Sequence, residues 1–354
     1  MDTLFICRQS EDSGGSNTYG YFRKFSGLFN SARLVVNMLN DNGIESALEV
    51  VADNNGIDRL VTKYKPSICI IEAYWVVPEK FDILHKLHPD VTWIVRIHSE
   101  IPFWSMEGIA VEWTLRYLDH PNVILAPNSY RAYANIKTIL STKYTHEEIK
   151  GKLVCLPNYY PADKRINCHQ KDPNILSIGC FGAIRPYKNQ LIQAIAAIKY
   201  AEITNRKLHF HINGDRIEGH ADPIIKNLRT LFKNSKFGYE LVEHAWMPHH
   251  NFIELLSAID IGMQVSYSES FNIVAADIVT MNVPIVVSSE ISWVNSLFYA
   301  DPNDSSDIVR TLCIAERVGK LGTYLNRKKL ETFSDNSESV WVTYITDSLF
   351  DNFM

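Results

Sequence analysis

Residues 258–289 read AIDIGMQVSYSESFNIVAADIVTMNVPIVVSS, and this stretch decides the fold. The largely apolar run 259–265 has the length and composition of a buried strand. A polar turn, 266–272, follows it; residues 273–281 have helical length, and Pro284 opens a second apolar run at 284–287. Strand, helix, strand in that order is a β-α-β unit, which belongs to a parallel sheet covered by helices. The turn carries Glu269, and Asp277 lies eight residues later on the expected helix. A helix start at the carboxyl end of a parallel strand favours an anion, through its free N–H groups and its dipole. A carboxylate beside such a start is unsuited to the anion and suited to the hydroxyls of a sugar attached to it.

Two further stretches sit at equivalent places. Residues 179–190, GCFGAIRPYKNQ, lie between an expected strand and an expected helix. Gly182 permits close backbone approach, and Arg185 and Lys188 bring two cations to the helix start, where they would hold a diphosphate and stabilise its departure. A solvated basic turn accounts for the same residues more plainly. His98, in WIVRIHSEIPF, follows an apolar strand and so stands at its carboxyl end, where α/β folds bind ligands. A histidine capping a turn or satisfied in the core is the plain alternative.

The run ESFNIVAADIVTMNVPIV at 269–286 resembles the E-x7-E region of retaining GT-B glycosyltransferases of the family-four type. Glu269, Phe271 and Pro284 fall on that pattern; Asn272 stands where glycine is usual, and Asp277 where the second glutamate is usual. Lys188-Asn189 matches the family's Lys-Gly or Lys-Asn dipeptide, whereas Ala183 occupies the usual arginine position, with Arg185 two residues on. The resemblance is strong over 176–300 and diffuse before that. It implies a GT-B architecture, with two doubly wound Rossmann-like domains facing a central cleft. It implies transfer of a sugar, with retention, from a nucleoside diphosphate sugar to a glycan, lipid or small-molecule hydroxyl. Glu269 would hold sugar hydroxyls, Asp277 the ribose, and His98 the sugar from the first domain. Arg185, Lys188, Gly182, Phe271 and Asn272 would face the diphosphate, with no metal and no cofactor needed. A glycine loop after the first strand is also implied, by Gly14 and Gly15 or by Gly27; a plain flexible loop explains these as well. Asn128 and Ser129 either reach the cleft or cap a helix.

Strands expected at 3–7, 47–51, 68–71, 91–97, 123–126 and 153–156, with helices between them, make a first doubly wound domain over 1–157. The polar, proline-bearing segment 158–173 reads as a linker. Alternation resumes over 174–336, with strands at 175–181, 208–212, 239–242, 259–265 and 284–287. Helices are expected at 304–318 and 337–350, and in the resembled fold the last one, within 337–354, packs back on the first domain.

The chain has 354 residues, 46% hydrophobic, 21% charged, with net charge −5. That is length for two cores, and no basic face for nucleic acid. No apolar run approaches the roughly 20 residues of a membrane span, so any membrane contact would be peripheral. Six scattered cysteines and no signal-like start point to a reducing, cytoplasmic setting. His209, His211, His244, His249 and His250 lack a ligand pattern for a metal. Two rivals to the transferase remain: a sugar-nucleotide-binding protein without transfer activity, and a sugar-nucleotide epimerase of the same fold.

Overall fold

Five short strands pair side by side in each half of the chain; the inner ones are largely apolar and buried on both faces, as in a helix-covered sheet, while the edge strands Ser46–Val51 and Glu240–His244 are partly exposed. The strands are β1 (Thr3–Arg8), β2 (Ser46–Val51), β3 (Ile68–Glu72), β4 (Thr92–Ile97) and β5 (Val123–Pro127) in the first. In the second they are β6 (Ile175–Gly179), β7 (Lys207–Asn213), β8 (Glu240–His244), β9 (Ile261–Gln264) and β10 (Ile285–Val287). This is a computed structural model, and it describes residues 1–8, 27–163, 172–233, 235 and 237–351. All the pairings between strands are parallel, in the orders β2-β1-β3-β4-β5 and β10-β9-β6-β7-β8. Each order reverses once, between β1 and β3 and between β6 and β9. Such a reversal opens a crevice outside the carboxyl ends of the strands.

The chain divides into a unit of Met1–Pro161 with Phe333–Met354 and a unit of Ala162–Thr332. The first unit therefore runs beyond 157, and its start on the expected linker has a physical cause. Asn158 accepts a hydrogen bond from the buried Arg96, at 2.9 Å, and Tyr160 is buried, its carbonyl taken by the Ser334 hydroxyl. Alternate residues of the first sheet feed two cores. Leu4, Ile6, Cys69, Ile71, Trp93 and Val95 pack on one face. Phe5, Ile70 and Ile94 pack on the other, against helix Gly27–Asp41 and against Trp341 and Ile345 of the last helix.

Two expectations change. The run 153–156 contributes one bridge, Leu153 to Leu125, with Val154 N–H and Leu156 N–H donating to the carbonyls of Leu125 and Pro127. It is an irregular strip alongside β5. Two helices do occupy Ser305–Asp351, but they meet at non-helical backbone at Gly319 (φ 51°, ψ −123°), a conformation open to glycine, so the second begins well before the expected 337.

Candidate functional site

In the second unit the two loops bordering the sheet reversal are stitched together. After β6 the backbone turns at Gly182 (φ 107°), whose N–H donates to Asn213 Oδ1 at 2.8 Å. A short 3-10 turn, Pro186–Lys188, follows, and Asn189 (φ 58°) starts helix Gln190–Thr204 in the left-handed region. Only glycine enters that region without penalty, and asparagine is the next best. The Asn189 amide donates to the carbonyls of Val265 and Pro302. Gln193 accepts from Val265 N–H at 2.9 Å, and Tyr267 N–H donates to Tyr187 O at 2.8 Å. Closing the junction, Lys188 Nζ pairs with Glu269 Oε1, the side chains being 19% and 10% exposed.

Asn272, at the position of a usual glycine, also has positive φ (65°). Its side chain accepts from Ala275 N–H to cap helix Ile273–Thr280 and donates to Gln264 Oε1. The departure from glycine thus keeps the backbone shape and adds a cap. Phe271 is buried against Trp293, rings 5.6 Å apart, with Trp293 Nε1–H donating to its carbonyl. Its side chain therefore shapes the loop from beneath. Asp277 is buried on the same helix, its Oδ1 2.7 Å from His249 Nε2.

Arg185 neither points to solvent alone nor stands unengaged. It shares Glu218 with Arg216: Arg185 Nε donates to Oε2 at 2.5 Å and Arg216 Nε to Oε1 at 2.6 Å. Burial would raise the Glu218 carboxyl, but the two guanidiniums outweigh it and hold it below its ordinary value. The cluster keeps a net positive charge, and Arg216 stacks on Trp246 at 4.1 Å. Nearby Cys180 is pushed up to about 12 by burial, against the pull of Lys188, so it stays a thiol.

In the first unit His98 follows β4, and Nε2 is hydrogen-bonded to Glu72 Oε2. Glu72 ends β3 and is fully buried; its register partner on β4 is Arg96, which donates to it at 3.2 Å. Arg96 also donates to Pro157 O and lies 5.0 Å from the Trp341 ring. Burial would raise Glu72, yet Arg96 and His98 together bring it below the usual carboxylate value. Burial lowers His98, partly opposed by Glu72, leaving the imidazole more acidic than usual and so neutral near pH 7. Asn128 is buried and donates to Asn158, and Ser129 caps helix Tyr130–Leu140. Gly27 begins helix Gly27–Asp41; Gly14 and Gly15 lie outside the described residues.

His211 Nδ1 lies 2.9 Å from His244 Nε2 with the rings stacked, and burial pushes His211 down to about 3. Among the described residues no group of three or more His, Cys, Asp or Glu is arranged to hold a metal ion. Glu72, Arg96, Glu218 and His249 escaped the sequence expectations. For the first two a signal exists: one charge inside each apolar strand, ICIIE and TWIVRI, and a buried charge demands a partner.

No described protein family and no curated protein matches the chain by sequence. Solved structures do match. The chain is similar to a UDP-forming α,α-trehalose-phosphate synthase from Burkholderia xenovorans, at 10% identity and TM-score 0.66 over 100% of each chain. It is similar to a trehalose-6-phosphate synthase studied with bisubstrate glycomimetics for glycosyl transfer with retention, at 14% identity and TM-score 0.62 over 83% of this chain and 77% of that one. The N-terminal domain of Candida albicans trehalose-6-phosphate phosphatase matches at 10% identity and TM-score 0.67, over 98% and 97%. Identities this low carry the fold alone. The fold is GT-B.

Proposed function

We propose that this protein is a metal-independent retaining glycosyltransferase that moves a sugar from a nucleoside diphosphate sugar to an acceptor hydroxyl. The observation that carries the proposal is the Lys188–Glu269 pair, which joins two loops where the second sheet reverses its order. One loop offers cations for a diphosphate and the other a carboxylate for sugar hydroxyls. On transfer, the bond from the sugar C1 to the diphosphate oxygen breaks. The acceptor oxygen bonds C1 on the same face, and its proton ends on the diphosphate. Lys188 and Arg185 neutralise the charge that develops on the leaving oxygens. Lys188 then exchanges one oxyanion for another, releasing Glu269 to the sugar, and the neutral His98, oriented by Glu72, hydrogen-bonds a sugar hydroxyl. The motif supports the family-four type in particular. The synthases of similar fold make UDP and a sugar phosphate product by name, so UDP-sugars and sugar phosphates are the first donor and acceptor to try. A cytoplasmic setting belongs to the same proposal; no described helix is long and apolar enough to cross a membrane.

A thermal-shift series with UDP, GDP, ADP and CDP, with and without EDTA, tests the donor site. A ligand at about 100 times its dissociation constant stabilises by about 2.7 kcal/mol. One diphosphate should shift the transition regardless of EDTA, and Lys188→Ala should abolish the shift. No shift with any of them refutes the donor site. A second reading, binding without transfer, is favoured by one observation: Arg185 is engaged by Glu218. Incubation of the bound donor with sugar phosphates separates the three readings. A glycoside with the donor's anomeric configuration means transfer, a changed sugar nucleotide means epimerisation, and an unchanged donor means binding alone.

A further inference from the structure

The carboxyl edge of the second sheet holds a side-chain pair with no part in gripping a diphosphate. Asp277 is 3% exposed, and its Oδ1 lies 2.7 Å from Nε2 of His249. A carboxylate can only accept, so Nε2 donates, and in a neutral imidazole Nδ1 is then the acceptor. No described residue bonds that second nitrogen, and the imidazole is 24% exposed. His249 is the accessible end of a buried carboxylate.

Topology explains why the two meet. β8 lies at one edge of the sheet and β9 on the far side of β6, so the chain between them must cross the reversal point. Helix His249–Leu256 makes that crossing. Its Phe252 packs edge-on against Phe181, at 5.2 Å, in the loop that turns at Gly182. Its first residue reaches Asp277 on helix Ile273–Thr280. The helix therefore packs on the loop proposed for the diphosphate through Phe252, and its first residue pairs with the helix that follows Glu269.

We infer that His249 hydrogen-bonds a ribose hydroxyl of the donor nucleotide, with Asp277 as the residue that positions it. This rests on the donor reading above and moves the ribose contact from Asp277 to His249. Asp277 is a methylene shorter than glutamate and almost closed to a ligand; the imidazole restores the reach. Fixing Nε2–H toward Asp277 also fixes Nδ1 as the atom that accepts the hydroxyl proton.

Calorimetric titration tests it, using UDP, GDP, ADP and CDP and then the 2′-deoxy and 3′-deoxy forms of whichever binds. Wild type should bind one deoxy form about tenfold more weakly than the ribo form, the loss of one good hydrogen bond. His249→Ala should bind both equally weakly, so the ratio falls to about one. Should that variant not fold, His249→Asn, which can still donate to Asp277 but reaches no further, makes the same comparison. Lys188→Ala should weaken the ribo and deoxy forms alike, leaving the ratio intact. A tenfold ratio that persists in a folded His249 variant overturns the inference, as does a wild type indifferent to both hydroxyls. Absence of any nucleotide binding by wild type overturns the donor reading itself, and the ribose contact with it.

Discussion

Lys188 and Glu269 stand 81 positions apart and neutralise each other at one junction. Replacing Glu269 by Gln leaves Lys188 with no competing carboxylate there. UDP affinity should therefore hold or rise while kcat falls by about 10²-fold, since transition-state contacts of this type have that size; titration and turnover of the same sample check both. A different logic governs Glu72. Its carboxylate is fully buried between Arg96 and His98. Glu72→Gln leaves the guanidinium without its anion and should cost about 3–5 kcal/mol. Because the folded-state pKa is depressed, the stabilisation is present above the unfolded carboxyl value of about 4.3 and is lost as pH falls through the lower folded value. Urea midpoints of wild type and variant should thus converge below about pH 4. As candidates, Glu269 and His98 stood out in the sequence because each follows an apolar run, Lys188 because its loop also carries Arg185, and Asp277 because it lies eight residues after Glu269. Glu218 and His249 did not, since Arg185 and Asp277, which they meet, lie 33 and 28 positions away in sequence.

Among elements, the helix Ile273–Thr280 lies unusually close to β9. A Cβ on Gly262 would stand 2.7 Å from Ile278 Cδ1 on that helix. Gly262→Ala should lower stability by about 1–3 kcal/mol through overpacking, and the displaced helix should weaken nucleotide binding; a melting curve and a UDP titration report the two. The inner strands were readable from sequence because burial on both faces favours apolar runs. Their order was not, because it depends on pairings such as Gly179 with Gly262 that no local pattern encodes. The helical stretch 320–336 also escaped, for its polar surface and the break at Gly319 mask the few residues it buries, Asn326, Leu330 and Ser334 among them.

On the scale of the whole molecule, each unit has its own sheet and its own cores, so each should unfold as its own cooperative transition. Trp341 is fully buried, packs 5.8 Å from Phe5 and donates to Pro157 O at 2.7 Å. Trp341→Ala should cost about 3–5 kcal/mol in one transition and leave the other in place, which differential scanning calorimetry resolves. The same tryptophan sets an order of events on the ribosome. The unit of Met1–Pro161 is completed only by Phe333–Met354, whereas Ala162–Thr332 emerges as one uninterrupted segment. The nascent chain must therefore carry an open apolar face, Phe5, Val35 and Ile94, through the synthesis of everything between. A truncation that removed Trp341 would be felt first in a strand more than three hundred residues before it, where Phe5 lies.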